Sequence, residues 1–148
     1  MSSWDKRFLE MARLVSTWSK DPSSQFGSVI VDNDKRIVSV GFNGFAKGFD
    51  DSEERLKDRQ FKYRHVLHSE ENCILNARQD IKGLTIYVTG VPCSLCMSRI
   101  AQSGLTKVVC YKPTEDYLSR WSVDEPLQVA KECGIIVEQI EEKINNES

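Results

Sequence analysis

The sequence predicts a three-layer α/β/α domain built around a mixed five-stranded sheet. Residues 28–42 are typical of two short strands joined by a turn, and from residue 68 onward strand patterns alternate with amphipathic helix patterns. The chain has 148 residues, of which 40% are hydrophobic and 28% charged. A chain of this length and balance is long enough to bury one core. We therefore expect residues 1–148 to form a single domain.

The first third of the chain is expected to form one helix and a hairpin of strands. Residues 4–19 predict an amphipathic helix, because large apolar side chains recur there at helical spacing: Trp4, Phe8, Met11, Leu14, Val15 and Trp18. Turn-forming residues at 20–24 end this helix. Two apolar runs, 28–31 and 36–42, flank a polar turn and predict paired strands.

A long irregular connection follows at residues 43–64. Glycines punctuate its first part, and a charged run follows, of which residues 52–61 are expected to be partly helical. So long a connection in a small domain is commonly functional.

The rest of the chain alternates between helix and strand patterns. We expect helices over residues 68–78, 93–102 and 126–132, and strands over 84–88, 107–111 and 135–140. Ile74, Leu75 and Ala77 give the first of these helices its apolar side. The connection 112–124 is expected to be a loop with some helix, and the polar tail 141–148 to be frayed.

Two motifs bring together the residues of a catalytic metal site. His68 and Glu70 form a His-x-Glu, and Cys93 and Cys96 form a Pro-Cys-x-x-Cys. Thiolate and imidazole ligands suit zinc, and two cysteines three residues apart near a helix start can face one metal. Three protein ligands leave a fourth position open for water. Glu70 need not bind the metal and is then the expected general acid and base of a hydrolysis.

The alternative is a purely structural zinc site, which usually has four protein ligands. The chain offers four further residues that could complete such a site: His65, Cys73, Cys110 and Cys133. The pattern around Cys73, Cys110 and Cys133 is more typical of small packing residues.

Charge and cysteine content narrow the function class. The formal net charge is −2, whereas a protein that holds a nucleic acid usually carries an excess of Lys and Arg, so no nucleic acid partner is expected. No stretch has the length and apolar content of a membrane span or a signal peptide. Five cysteines, including a Cys-x-x-Cys, favour a metal site over disulfides and therefore a reducing cytoplasm, or a host cytoplasm if the source is a virus.

The chain resembles the deoxycytidylate (dCMP) deaminases of the cytidine deaminase superfamily. The matching segments are SKDPSSQFG at 19–27, IVSVGFNG at 37–44, GFDD at 48–51, HSEEN at 68–72 and YVTGVPCSLC at 87–96. The paired zinc motif indicates the superfamily of zinc-dependent deaminases. The Ser-Lys-Asp-Pro and Gly-Phe-Asn-Gly segments narrow the resemblance to the dCMP branch.

The resemblance implies a cytidine deaminase-like fold and hydrolysis of dCMP to dUMP and ammonia, which feeds thymidylate synthesis. It also implies one catalytic zinc per subunit, with Glu70 moving protons. A homo-oligomer, commonly a hexamer, is implied, with activation by dCTP and inhibition by dTTP at an allosteric site. That site is expected at Phe42, Asn43, Gly44 and Gly48, where magnesium could accompany the nucleotide.

Several residues are candidates for contact with the nucleotide. The resemblance favours Asn43 for the sugar, because an amide both donates and accepts hydrogen bonds; the alternative is an Asn that tolerates a left-handed turn. The phosphate requires cationic or amide donors. The candidates for the phosphate are Lys20, Ser23, Ser24 and Gln25, with Arg120 as a weaker one. Tyr117 could stack on the base, and the backbone amide of Ser69 could bind the base carbonyl.

The sequence departs from the family pattern at three positions. Phe49 stands where relatives often carry a cysteine for a second zinc, Ser69 replaces the usual alanine, and Phe42 replaces the usual tyrosine. The rival functions are deamination of cytidine, guanine or tRNA adenosine, and a non-catalytic domain that senses nucleotides. The presence of Glu70 argues against the non-catalytic domain.

Overall fold

The computed structural model describes residues 3–143. Its helices are α1 (Ser3–Ser16), α2 (Glu53–Lys57), α3 (Arg59–His65), α4 (Ser69–Asn76), α5 (Ser94–Ser103), α6 (Glu115–Arg120) and α7 (Asp124–Cys133). Its strands are β1 (Gly27–Val31), β2 (Ile37–Phe42), β3 (Thr85–Val88), β4 (Lys107–Tyr111) and β5 (Ile136–Ile140). The predicted fraying of the tail at 144–148 lies outside the described residues.

The five strands form one mixed sheet in the order β2-β1-β3-β4-β5. The hairpin strands β1 and β2 pair antiparallel, as do β1 and β3. Strands β3, β4 and β5 run parallel, and each parallel connection contains helix. The predicted fold class, a mixed five-stranded sheet between helices, is confirmed.

Alternation along the strands sorts the core into two layers. In β1, Val29 and Val31 join Phe8, Leu9 and Ala12 of helix α1 in one buried cluster. The intervening Ile30 belongs to the second cluster, which packs under α4, α5 and α7. Each fully buried Val or Ile stabilises the fold by roughly 1.5–3 kcal/mol. The two clusters therefore fix which helices cover which face.

The first helix is shorter than predicted. Helix α1 ends at Ser16 rather than residue 19, and Leu14 and Trp18 are 57% and 50% exposed. Its buried face instead contains Leu9 and Ala12. The small side chain of Ala12 lets the helix approach the sheet. The apolar side predicted for α4 is also partly wrong, since Leu75 is 64% exposed.

The long connection contains two short helices where one partly helical stretch was expected. Asp58 separates α2 from α3, and its carboxylate accepts a hydrogen bond from the Phe61 amide as the N-cap of α3. The predicted loop at 112–124 contains α6, which Thr114 caps in the same way. Among residues 3–143, every helix is too short or too polar to cross a bilayer.

A close approach of backbone to backbone positions helix α4 on the sheet. A Cβ atom added to Gly41 of strand β2 would lie 2.4 Å from the Ser69 carbonyl oxygen and 2.4 Å from the Cys73 nitrogen. Only glycine leaves room for this contact. The start of α4, which carries His68 and Glu70, is therefore held directly against the sheet.

Candidate active site

The predicted metal ligands lie together where two helices begin. His68 is the N-cap residue of α4 and Cys93 that of α5, with Cys96 in the first turn of α5. The Nδ1 atom of His68 lies 3.6 Å from Cys93 Sγ and 3.2 Å from Cys96 Sγ. Within residues 3–143, no fourth His, Cys, Asp or Glu joins this group, whose ligand atoms lie within 4.8 Å of one another. The set of one imidazole and two thiols fits zinc.

The electrostatics of the cluster favour binding of a cation. Hydrogen bonds from the Cys96 and His68 side chains lower the pKa of Cys93 to about 4. The same hydrogen bond with Cys93, followed by the charge of Glu70, raises the pKa of His68. The Cys96 amide also donates to Cys93 Sγ at 3.4 Å, as expected at a helix N-terminus. The lowered pKa favours the thiolate form of Cys93, which is the form that binds a metal.

A glutamate that the sequence analysis did not single out joins the two helices. Glu71 Oε1 accepts a hydrogen bond from the His68 amide at 2.8 Å, and Arg99 Nε of helix α5 lies 3.2 Å from Glu71 Oε2. An acidic residue three positions after a helix cap is a recognisable capping pattern, so the sequence did contain the signal. Glu71 and Arg99 thus hold His68 in register with Cys96.

Glu70, the predicted acid–base residue, lies in the first turn of α4, which His68 caps. Its side chain is buried, and that burial raises the pKa of the carboxyl group above the usual range. One oxygen, Oε1, accepts a hydrogen bond from the Ser69 hydroxyl at 2.8 Å. Like His68 and Cys93, Glu70 faces a cleft. A carboxylate placed in this way can exchange protons with a molecule bound in the cleft.

The cleft has a volume of about 680 Å³, within the range of small-molecule sites. His68, Cys93 and Glu70 line it, together with residues of the loop before β1, of α3, of the end of β3 and of α6. The polar side chains along its walls include those of Asp21, Ser23, Ser24, Asn43, Arg59, Lys62, Tyr117 and Arg120. The structure therefore brings the catalytic motifs and most of the predicted nucleotide contacts to one space.

Asn43 is buried and uses both ends of its amide within the protein. Its Oδ1 accepts from the Phe26 amide at 2.9 Å, and its Nδ2 donates to the Ser24 carbonyl at 2.9 Å. The alternative of a left-handed turn is wrong, because Lys35 is the one non-glycine residue among 3–143 with a positive φ. Asn43 lines the cleft and also shapes the loop that forms one wall.

A buried ion pair holds the same loop against helix α3. Lys62 Nζ lies 3.0 Å from Asp21 Oδ1 and donates to Ser23 Oγ at 2.8 Å. Burial raises the pKa of Asp21, but hydrogen bonds from the Ser23 amide and from Lys62 outweigh this effect and leave the pKa below the usual value. Sequence analysis missed Lys62, because a lysine in a charged run gives no sign of burial.

Two predicted phosphate contacts do not line the cleft. Lys20 is 71% exposed and forms an ion pair with Asp51 at 2.9 Å. Gln25 donates its amide to the Ser19 carbonyl at 2.7 Å. These bonds hold both side chains away from the cleft, where they are poorly placed to bind a phosphate. Arg120, the weaker candidate, lines the cleft and donates from Nη2 to Ser24 Oγ at 3.0 Å.

Tyr117 forms part of the wall next to the metal ligands. Its hydroxyl donates to the Val91 carbonyl at 2.8 Å, two residues before Cys93. A Cβ on Gly90 would lie 2.9 Å from the Tyr117 ring, so the ring packs directly on the end of β3. Tyr117 therefore lines the cleft near Cys93, where its ring is placed to contact a bound base.

The segment predicted for allostery lies outside the cleft, apart from Asn43. Phe42 is 37% exposed and packs edge-on against Trp18, with ring centroids 6.2 Å apart. Gly44 exchanges backbone hydrogen bonds with Leu67, just before His68, and Gly48 has a φ of +80°. The pairing of Gly44 with Leu67 connects this segment to the metal site through one residue.

Residues 2–112 match the family described as the cytidine and deoxycytidylate deaminase zinc-binding region. The chain is 50% identical over 132 residues to an uncharacterized deaminase from the luxG 3′ region of Aliivibrio fischeri, covering 89% of this chain and 87% of that protein. It is 36% identical over 115 residues to the deoxycytidylate deaminase of Homo sapiens, covering 72% of this chain and 63% of the human protein. The chain thus spans less than two thirds of the human relative.

The fold matches that of a solved dCMP deaminase. The crystal structure of the enzyme from cyanophage S-TIM5 in complex with dCMP and dUMP has a TM-score of 0.75 and 25% identity, covering 95% of this chain and 99% of that one. The chain belongs to the cytidine and deoxycytidylate deaminase family. The predicted resemblance and the predicted enzyme class, a deaminase, are confirmed.

Proposed function

We propose that the protein is a zinc-dependent dCMP deaminase. One observation carries the proposal: Glu70, His68 and Cys93 line the same cleft as the cationic Arg120, and Cys96 lies beside His68 and Cys93. The cleft therefore offers an acid–base group for a pyrimidine amine at one place and a cation for a phosphate at another. Relatives named deoxycytidylate deaminase and the phage enzyme that binds dCMP and dUMP support the same substrate.

Each step of the reaction assigns a task to this chain's residues. Bound zinc would be held by His68, Cys93 and Cys96 and would supply an activated water at neutral pH. Glu70 takes a proton from the attacking water as the water oxygen bonds to ring carbon 4 of cytosine. Glu70 passes this proton to ring nitrogen 3, then takes the remaining proton from the new hydroxyl on carbon 4 and gives it to the departing amine. The carbon–nitrogen bond breaks, a carbonyl forms at carbon 4, and ammonia leaves.

We assign the nucleotide phosphate to Arg120, with Arg59 and Ser24 as neighbours. Arg120 and Arg59 are exposed cations on the wall, and a guanidinium can bind two phosphate oxygens at once. Lys62 is less suited, because Asp21 already neutralises it. Asn43 remains our candidate for the sugar, Tyr117 for the base face and the Ser69 amide for the base carbonyl.

A comparison of substrates tests this assignment. Ammonia release is measured with zinc-loaded protein on dCMP, deoxycytidine and dCTP. We expect kcat/KM for dCMP to exceed that for deoxycytidine by about 10–100-fold, the value of a charged hydrogen bond of roughly 1.5–3 kcal/mol. Equal values for the nucleoside and the monophosphate would overturn the dCMP assignment while leaving the deaminase class intact.

Regulation and assembly form the second part of the proposal. We propose a homo-oligomer, commonly a hexamer in the family, that dCTP activates and dTTP inhibits, with magnesium accompanying the effector. The exposed Trp18–Phe42 pair supports regulation from this segment, because it offers an apolar surface for a second subunit. Gly44, two residues after Phe42, pairs with Leu67, the residue before His68. Sigmoidal dCMP kinetics that become hyperbolic with dCTP and magnesium are expected. Hyperbolic kinetics that neither dCTP nor dTTP changes would exclude the proposed regulation.

We propose a cytoplasmic location and a single domain for the whole chain. The five free cysteines support the location, because an oxidising compartment would favour disulfides. Fractionation of the source cells and a single cooperative unfolding transition test the two statements.

A further inference from the structure

Two hydroxyl groups form a hydrogen-bonded row that leads from strand β1 to Glu70. Ser28 lies on β1 and Ser69 at the start of α4, and both are fully buried. Their Oγ atoms lie 2.7 Å apart. The Ser69 hydroxyl in turn donates to Glu70 Oε1 at 2.8 Å.

The direction of this row follows from the number of protons. A serine hydroxyl has one proton to donate and lone pairs to accept with. Because Ser69 donates to the Glu70 carboxylate, its oxygen accepts the proton of Ser28. Hydrogen bonds in such a row polarise one another, so Ser28 strengthens the bond that Ser69 makes.

From this geometry we infer that the Ser28–Ser69 hydroxyl pair is a positioning device for the general base. The two hydroxyls act through Glu70, which they hold by one oxygen, whereas the contact proposed for Ser69 with the base carbonyl belongs to its backbone amide, which Ser69→Ala keeps. The hydrogen bond from Ser69 reaches one carboxylate oxygen, Oε1. The inference rests on the proposed role of Glu70.

Positioning is the expected benefit because Glu70 is buried and its side chain has three rotatable bonds. Burial leaves few solvent contacts to hold the carboxylate, and one fixed oxygen restricts its rotation about the terminal bond. Displacement of a catalytic group by about 1 Å can cost roughly 100-fold in rate. The pair thus matters for kcat and little for substrate binding.

Alanine variants of both serines test the inference in the zinc-loaded enzyme. We expect Ser69→Ala to lower kcat on dCMP about 10-fold and Ser28→Ala about 3-fold, with KM within twofold and zinc content unchanged. Because Ser28 acts through Ser69, the double variant should lose no more than Ser69→Ala alone. Additive losses, or a Ser69→Ala variant with the kcat of the parent, would overturn the inference.

Ser39→Ala is the matched control. Ser39 is a buried serine on β2 whose hydroxyl also bonds to helix α4, at the Cys73 carbonyl 2.7 Å away. We expect this variant to lower the melting temperature and to keep kcat. A fall in kcat equal to that of Ser69→Ala would mean that the serines act only by holding α4, and would refute the positioning role.

A readout without turnover separates this inference from the proposed function. A pyrimidin-2-one 2′-deoxyribonucleotide lacks the amine and can only be hydrated at carbon 4. Ser69→Ala should weaken its binding about 10-fold in calorimetry and leave dUMP binding unchanged, and a crystal structure should show the Glu70 carboxylate rotated. Unchanged analogue affinity with an unmoved Glu70 would overturn the inference, whereas failure of the parent enzyme to favour dCMP over deoxycytidine bears only on the substrate assignment.

Discussion

The end of the cleft that we propose for the metal and the end that we propose for the nucleotide are built in different ways. At the metal end, His68, Glu70, Cys93 and Cys96 come from two short motifs at the starts of α4 and α5. At the other end, Asn43, Lys62 and Arg120 come from three separate segments that meet only in the folded chain. Chemistry that requires fixed spacing is therefore encoded locally, and recognition that requires a shaped wall is not.

The two ends also differ in what holds their side chains. Helix starts and the Glu71–Arg99 pair orient the metal ligands, so the helices themselves provide the geometry. The nucleotide wall depends on the buried Asp21–Lys62 pair and on the amide of Asn43. Damage to the first end should abolish chemistry, and damage to the second should alter stability and affinity.

The largest expected effect is the loss of chemistry in Glu70→Gln. The amide keeps the shape of the side chain but cannot accept the proton, so kcat on dCMP should fall by about 10²–10⁴. Zinc content, measured by atomic absorption, should not change. The control Glu132→Gln removes an exposed carboxylate that accepts a hydrogen bond from Gln128 on α7 and should be neutral. Equal kcat values for the parent and Glu70→Gln would show that another group moves the proton.

Next in size is the effect of replacing a metal ligand. In Cys96→Ser a hydroxyl replaces a thiol, and zinc affinity should fall by more than about 100-fold, since even loss of an outer-shell partner costs roughly 10–100-fold. Competition with a chromogenic chelator measures this. Cys133→Ser, at an exposed cysteine near the end of α7, should bind zinc like the parent. Loss of zinc from the control instead would contradict the assigned ligand set.

The nucleotide end should show its largest effect in stability. Asp21→Asn leaves Lys62 buried without its counter-charge, which costs about 3–5 kcal/mol in urea unfolding at pH 7. Because the pKa of Asp21 lies below its usual 3.8, its contribution is complete above that pH and is lost as the pH falls through the lowered folded pKa. The difference between parent and variant should therefore shrink only in acid. Asp51→Asn, at the exposed pair with Lys20, should cost far less than Asp21→Asn, because water screens an exposed pair.

The smallest expected effects are on KM, and they distinguish Arg120, which lines the cleft, from Lys20, which does not. Arg120→Ala should raise KM for dCMP about 10–100-fold with little change for deoxycytidine, because only the monophosphate loses a charged partner. Lys20→Ala should leave both KM values unchanged, since its ammonium bonds Asp51 outside the cleft. Steady-state kinetics on both substrates decide the matter. The reverse result would restore the phosphate role of Lys20 and remove that of Arg120.

Sequence patterns predicted most of the architecture because each element carries its own periodicity. Strand β4 was predicted with its observed ends, and Gly104 and Gly134 end α5 and α7 with positive φ angles, as expected of helix C-caps. The errors fall where packing overrides pattern. Leu14 fits a helical stripe yet is exposed, and smaller Ala12 occupies the interface with the sheet.

The candidate site divides along the same line. The sequence by itself predicted the candidate metal ligands and the acid–base role of Glu70, because a zinc ligand set and its acid–base partner need fixed residue types at short spacings. Only the tertiary structure decided that Arg120 faces the cleft, that Lys20 does not, and that Lys62 is buried against Asp21. The physical reason is that a cation's role depends on which carboxylate it meets and how much water it keeps. Those conditions arise only when distant segments pack together.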